Sequence, residues 1–252
     1  MQRIRVALLG LGTVGSGVVR ILADVGGRDP RLERIDLVGI AVRDINKARD
    51  LTIAGGLLTD DPFALVRDPE VDVVIEMMGG VELPYTLLNA ALKQGKHVVT
   101  ANKALLARHG RELFELARSR GLTIRYEAAI GGGTPLVQPL QQCFGANRIR
   151  SVTAIINGTT NYILTQMLTR SLAYEDALAE AQSLGYAEAD PRADVEGNDA
   201  QEKIALLAAI AYRIALPDLA SVYREGITAI HEQDVRHAQR LGFVIKLLAL
   251  AV

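Results

Sequence analysis

Residues 4–9 form an unbroken apolar run, Ile-Arg-Val-Ala-Leu-Leu apart from one arginine, and open directly onto Gly10-Leu-Gly12-Thr-Val-Gly15. An apolar helical pattern then continues to about residue 24. A strand that turns at a glycine and re-enters as a helix commits the chain to a crossover, and so to a parallel sheet. The three glycines have separate duties in such a unit. The first permits the tight turn, the second lets backbone approach a pyrophosphate, and the third allows close helix–strand packing. The helix N-terminus adds unpaired N–H groups and a positive dipole end. Gly10, Gly12, Thr13, Val14 and Gly15 are therefore candidate contacts for a dinucleotide. An ordinary glycine turn is the alternative.

The next segments keep the same alternation. Strand patterns fall at about 35–42, 72–77, 96–100 and 123–127, with helical patterns at about 84–94 and 108–120. The expected fold is α/β, a Rossmann-type doubly wound sheet covered on both faces. The pattern changes after Gly131-Gly-Gly133-Thr-Pro135: a strand at 151–156, helices at 161–169, 174–184 and 200–216. We expect a dinucleotide-binding domain over 1–132 and an α+β substrate-binding and dimerisation domain over 133–252. The apolar run 242–252 has no polar tail, which predicts a chain that stops inside or just after a buried strand, as a piece of a longer unit.

Composition narrows the partners. Hydrophobic residues make up 49% of the chain and the net charge is −1, with no Lys/Arg block, so nucleic acid is a poor partner. No apolar stretch is long enough to span a bilayer, and the N-terminal apolar run is too short for a signal peptide, so a cytoplasmic location is expected. The single cysteine, Cys143, has no partner for a disulfide or a cysteine metal site and is expected as buried packing.

The cofactor's identity turns on the end of the second strand, Ala41-Val42-Arg43-Asp44, with Lys47 following. An arginine there suits the 2′-phosphate of NADP, and an acid suits the ribose hydroxyl of NAD. Arg43 comes first and favours NADP; Asp44 keeps NAD open, and Arg43 and Lys47 also read as solvated charges.

Four segments carry side chains suited to chemistry. The run 188–203, Glu-Ala-Asp-Pro-Arg-Ala-Asp-Val-Glu-Gly-Asn-Asp-Ala-Gln-Glu-Lys, sets acids and a lysine at the start of an apolar helix. The helix dipole disfavours a cation there, so acids that offset it and hold a polar ligand suit a substrate site; a capping cluster is the competing reading. Asn102-Lys103 follows a strand end, where open α/β sheets bind ligands, although a solvated lysine starting a helix is the commoner fate. Tyr126-Glu127-Ala-Ala-Ile130-Gly-Gly132-Gly-Thr134-Pro joins an acid to a glycine loop whose oxygens suit a hard cation, or is a hinge. Asn157-Gly-Thr159-Thr-Asn161-Tyr is a polar turn able to donate to a carboxylate, or a helix cap.

Together with GLGTVG, the segments TANKALLA, YEAAIGGGTPL, NGTTNY and LGYAEADPRADVEGNDAQEK closely resemble homoserine dehydrogenase, along essentially the whole chain. The resemblance implies NAD(P)-dependent interconversion of L-homoserine and L-aspartate 4-semialdehyde, on the branch to threonine, methionine and isoleucine. It implies Lys203 and Lys103 as catalytic lysines, with Lys103 also beside the nicotinamide. Glu188, Asp194 and Asp199 would hold the substrate amino group and orient Lys203, with Asn157 and Thr159 as further substrate contacts. A sodium ion would sit on the Glu127 carboxylate and the carbonyls of Ile130, Gly132 and Thr134. The resemblance also implies a homodimer where the full catalytic unit is present, and the family's unit continues well beyond residue 252. A non-catalytic nucleotide-binding fragment or module is the alternative function.

Overall fold

The computed structural model describes residues 3–252 and divides the chain into two compact units, one ending at Leu136 and the other Val137–Val252. In the first unit, β1 (Ile4–Leu9), α1 (Thr13–Ala23), β2 (Ile35–Ala41), β3 (Leu58–Thr59), α2 (Pro62–Arg67), β4 (Val73–Glu76), α3 (Glu82–Lys93), β5 (His97–Thr100), α4 (Lys103–Ser119), β6 (Ile124–Arg125) and the short α5 (Glu127–Ile130) follow in order. The strands form one parallel sheet in the order β3-β2-β1-β4-β5-β6. Val6, Ala7, Leu8 and Leu9 are all buried, and burial of consecutive strand residues means that both faces of the sheet are covered. The strand order reverses between β1 and β4, and open sheets of this kind bind ligands outside the carboxyl ends of the strands at such a point.

The helices form where apolar residues recur on one face. α3 buries Leu87, Leu88, Ala91 and Leu92, and α4 buries Leu105, Leu106 and Leu113. Each such leucine is worth roughly 2 kcal/mol of transfer free energy. The strand at Ile35–Ala41 and the helix after the glycine turn lie where the sequence places them. Three details differ. α4 starts at Lys103 rather than near residue 108, because the Asn102 side chain caps it, accepting from the Leu105 N–H at 3.0 Å. The last expected strand shortens to Ile124–Arg125, since Glu127 already begins α5. β3 and α2 were not anticipated; β3 has two residues, too few for an alternating pattern.

The second unit holds β7 (Val152–Ala154), α6 (Gly158–Arg170), α7 (Tyr174–Ser183), α8 (Arg192–Val195), α9 (Asn198–Tyr212), α10 (Glu232–Arg240) and β8 (Ala249–Ala251). β7 and β8 pair antiparallel. A core of Ile163, Leu164, Met167, Ala177, Ala181, Val195, Ile227 and Val235 joins α6, α7, α8 and α10. α9 stops at Tyr212 instead of running to residue 216, because Arg213 adopts φ +56°, outside helical geometry. α6 starts at Gly158, earlier than residue 161, with Asn157 as its cap. The expected strand near the end of the chain is present, but only Ala249 in it is buried; Leu248 and Leu250 are each 58% exposed. Cys143 is exposed and not core packing, because it ends a π-helical turn, Pro139–Cys143, that buries no side chain.

Candidate active site

In the second unit, the turn from β7 into α6 meets the start of α9. Asn157 is 6% exposed, and its side-chain amide spends every polar atom on the protein. Its nitrogen donates to Asp194 Oδ1 at 2.6 Å and to Asp199 Oδ2 at 3.0 Å. Its oxygen accepts from the Thr160 backbone N–H at 2.8 Å and from the Thr160 hydroxyl at 2.9 Å. The orientation of the amide is chemically forced, since a backbone N–H can only donate and carboxylates need donors.

Lys203 projects onto the same turn. Its Nζ donates to Asp199 Oδ2 at 2.8 Å and to the Ile156 carbonyl at 2.8 Å, and its side chain is 17% exposed. An ammonium has three N–H bonds, so one remains for a ligand. Asp199 and Lys203 are one helical turn apart on α9, which puts them on one face. Asp199 thus serves two donors from a position where it is 5% exposed. It is not a capping residue: the N-cap of α9 is Gly197, with no side-chain bond.

Gly197 and Gly226 fix this arrangement. Gly197 has φ +82°, a conformation that costs a residue with a Cβ. A Cβ on Gly226 would stand 2.4 Å from the Val195 carbonyl oxygen and 2.7 Å from Glu196 Cα. The Ile227 N–H donates to that same carbonyl at 2.8 Å, so backbone packs directly on backbone beneath Asp194.

Glu188 and Asp190, two further acids of the run, make no hydrogen bond to Asn157 or Lys203. Glu188 is exposed. Asp190 pairs with Arg192, whose guanidinium holds the carboxyl down to about 2. The Thr159 hydroxyl donates to the Tyr186 carbonyl at 2.7 Å, tying α6 to the segment that leads to Glu188. The side chains of Asn157 and Thr159 have therefore no hydrogen left for a substrate carboxylate. The donors of this turn are instead the backbone N–H groups of Gly158 and Thr159, which find no acceptor among the described residues.

In the first unit, the Gly10 N–H donates to the Ala41 carbonyl and the Met77 N–H to the Leu9 carbonyl, drawing the ends of β1, β2 and β4 together. A Cβ on Gly10, at φ +97°, would lie 2.7 Å from the Met77 carbonyl oxygen, and one on Gly15 would lie 2.2 Å from the Gly10 carbonyl oxygen. Packing alone requires both glycines. A Cβ on Gly12 would meet nothing within 4 Å, so the protein itself does not fill that space. Thr13 and Val14 are exposed beside it, and α1 has no side-chain cap. An open glycine face at an uncapped helix start fits a dinucleotide phosphate.

Arg43 and Lys47 are exposed and carry no ion pair or side-chain hydrogen bond among the described residues. Asp44 Oδ1 accepts from the Asn46 N–H at 2.8 Å, and Arg49 closes this loop by donating to the carbonyls of Asp44 and Lys47. Lys103 opens α4 at the end of β5.

The Glu127 carboxylate accepts from the Leu136 N–H at 2.5 Å, closing the loop that contains Ile130, Gly132 and Thr134. One carboxylate and backbone carbonyls are all hard oxygen donors, a set that suits sodium. Among the described residues no cluster of three or more His, Cys, Asp or Glu could hold a metal, and no helix is long and apolar enough to cross a membrane. Sequence reasoning passed over Glu76, fully buried at the end of β4, and Lys246, which donates to Asn161 Oδ1 and Thr165 Oγ1.

Two family models match the chain: homoserine dehydrogenase, NAD binding domain, over residues 10–127, and homoserine dehydrogenase over 135–252. A homoserine dehydrogenase of Synechocystis sp. is 48% identical over 250 residues, covering 98% of this chain and 57% of the relative. One from Bacillus subtilis is 43% identical over 255 residues, covering 100% and 58%. The crystal structure of a homoserine dehydrogenase from Thiobacillus denitrificans superposes with TM-score 0.91 at 46% identity, covering 100% of this chain and 58% of that one. A putative homoserine dehydrogenase from Archaeoglobus fulgidus gives TM-score 0.84 at 33% identity, covering 98% and 80%. The chain thus spans a little over half the length of the curated relatives it matches. With both units matched, the chain belongs to the homoserine dehydrogenase family.

Proposed function

We propose that this chain carries the catalytic residues of an NADP(H)-dependent homoserine dehydrogenase, interconverting L-homoserine and L-aspartate 4-semialdehyde. The observation that carries the reading is Lys203, a half-buried ammonium fixed by Asp199 and the Ile156 carbonyl with one N–H to spare. When bound, a nicotinamide cofactor supplies or takes the hydride. Reduction of the aldehyde builds negative charge on its oxygen, and the spare N–H of Lys203 stabilises that charge and delivers the proton. Oxidation of homoserine runs the same step backwards, with the neutral amine taking the hydroxyl proton.

Asp194 and Asp199, held by Asn157, and Glu188, exposed and unpaired, supply negative charge for the substrate's amino group. The N–H groups of Gly158 and Thr159 suit its carboxylate, with the side chains of Asn157 and Thr159 acting as positioning groups. Lys103 is the second catalytic lysine on this reading. Gly10, Gly12, Thr13, Val14 and Gly15 would hold the pyrophosphate, and the exposed Arg43 and Lys47 a 2′-phosphate, which favours NADP over NAD. Sodium on Glu127, Ile130, Gly132 and Thr134, a homodimer, a cytoplasmic location and the branch to threonine, methionine and isoleucine complete the proposal.

The test is homoserine-dependent reduction of NADP and NAD by the purified chain and by any longer natural form, with cofactor binding titrated in parallel. Turnover that Lys203→Ala abolishes while NADP still binds is the expected result. Turnover surviving that substitution refutes the role of Lys203. Binding without turnover in every form leaves a nucleotide-binding module.

A further inference from the structure

The carboxyl ends of β4 and β5 carry a hydrogen-bonded network that the residues named so far leave unused. Glu76 is the last residue of β4, pairs in register with Leu9 on one side and Thr100 on the other, and is 0% exposed. It therefore stands at the point where the strand order reverses. Its Oε1 accepts from the Met78 N–H at 2.7 Å, and its Oε2 accepts from the Thr100 hydroxyl at 2.5 Å. The Thr100 hydroxyl in turn accepts from the Asn102 N–H at 3.0 Å. Asn102 donates its amide to the Gly80 carbonyl at 2.8 Å and caps α4 through Leu105.

Two loops meet on one carboxyl group. Met78 and Gly80 belong to the loop after β4, whose Met77 carbonyl lies against Gly10. Thr100 and Asn102 lead into Lys103. Both groups hydrogen-bonded to the carboxyl donate, so an acceptor-only side chain is what the network requires. Leucine or valine, which would suit the sheet's burial, could not make it. We propose that Glu76 is a positioning residue, which locks the start of α4, and with it Lys103, to the loop that backs the glycine turn. Burial pushes the Glu76 carboxyl above its ordinary range, partly opposed by the hydrogen bonds from Thr100 and Met78, as expected for a group retained for geometry despite its desolvation. The consequence for turnover rests on the proposed role of Lys103; the positioning itself does not.

The experiment is Glu76→Gln, which keeps the shape but replaces one acceptor by an NH2 facing the Thr100 hydroxyl or the Met78 N–H. Hydrogen exchange of the chain, and of any longer natural form, is followed by peptide. Exchange at Met78, Asn102 and Leu105 is expected to rise at least about tenfold, while β1 and β2 stay unchanged. No local rise, or a rise spread evenly over the sheet, overturns the proposal. Thr100→Val should reproduce the effect and Thr100→Ser should not, which separates the hydrogen bond from a failure to fold. In the active enzyme, kcat should fall at least about tenfold in Glu76→Gln with the Kd for NADPH held within roughly threefold, since small misplacements of catalytic groups act on turnover. Unchanged kcat alongside the expected rise in exchange would refute the role of Lys103 and leave the positioning standing. An unaltered protein without turnover that still shows the exchange pattern would refute the functional reading and leave the positioning role standing.

Discussion

Asn157→Asp changes one nitrogen into an oxygen and should be among the most harmful substitutions in the second unit. The cap survives, because a carboxylate oxygen still accepts from the Thr160 N–H. The opposite edge of the side chain changes sign. Contacts of 2.6 Å to Asp194 and 3.0 Å to Asp199 turn from donor–acceptor into oxygen–oxygen pairs. Like charges about 4 Å apart repel by about 4 kcal/mol at an effective dielectric constant of about 20. The folded protein escapes by keeping the new carboxyl protonated. Holding its pKa about three units up caps the penalty at about 4 kcal/mol near pH 7, at about 1.4 kcal/mol per unit. Asn157→Ala loses the cap, about 1 kcal/mol, and one donor to each acid, about 3 kcal/mol in all when the shared environment is allowed for. The discriminating signature is pH. A carboxyl with a raised folded-state pKa binds more protons when folded than when unfolded, so stability falls as pH rises between the two pKa values. Urea unfolding at several pH values, each against the unaltered chain, should show the Asn157→Asp deficit shrinking as pH falls from about 7 towards about 4.5, with the Asn157→Ala deficit nearly flat. Equal, pH-independent deficits would refute the two-acid clamp.

Gly15→Ala should lower stability by about 2 kcal/mol or more through the clash at the Gly10 carbonyl, whereas Gly12→Ala should cost under about 1 kcal/mol yet weaken NADP binding at least tenfold; thermal melts and a fluorescence titration check both. Gly226→Ala should cost about 1–3 kcal/mol and disturb Asp194 and Asp199, seen as a melting shift with loss of turnover, and a neutral outcome would mean that the 195–197 segment yields freely. The raised Glu76 pKa predicts that the unaltered chain's stability, measured relative to Glu76→Gln, is greatest below the ordinary glutamate pKa of about 4.3 and is lost as pH rises through the folded value; a relative gain with pH contradicts the buried carboxyl.

The parallel sheet was legible because β1, β4 and β5 each lead from a short, mostly apolar run into a helical period, and β1 appears in the sequence from its first to its last residue. β3 and α2 were not, since two strand residues and one and a half turns of helix leave no period to count. The candidate site was legible in identity more than in arrangement. Lys203 and Asp199 announce themselves by helical spacing. Asn157 read as a helix cap or a donor to a substrate carboxylate, and the cap is present; its bonds to acids 37 and 42 residues away are encoded by no local pattern. Glu76 did leave a signal: a lone acid closing Val-Val-Ile in a strand buried on both faces, where an unpaired charge is costly.

The two bonds that immobilise Lys203 have a consequence for reversibility. Asp199 and the Ile156 carbonyl occupy two corners of a tetrahedral nitrogen and leave a single outward corner. That corner holds a proton when the lysine is charged and a lone pair when it is neutral, while both anchoring N–H bonds persist in either state. On the role proposed for Lys203, a nitrogen gripped in this way would pass from acid to base without turning, and one side-chain pose would serve both directions of the proton-coupled reduction.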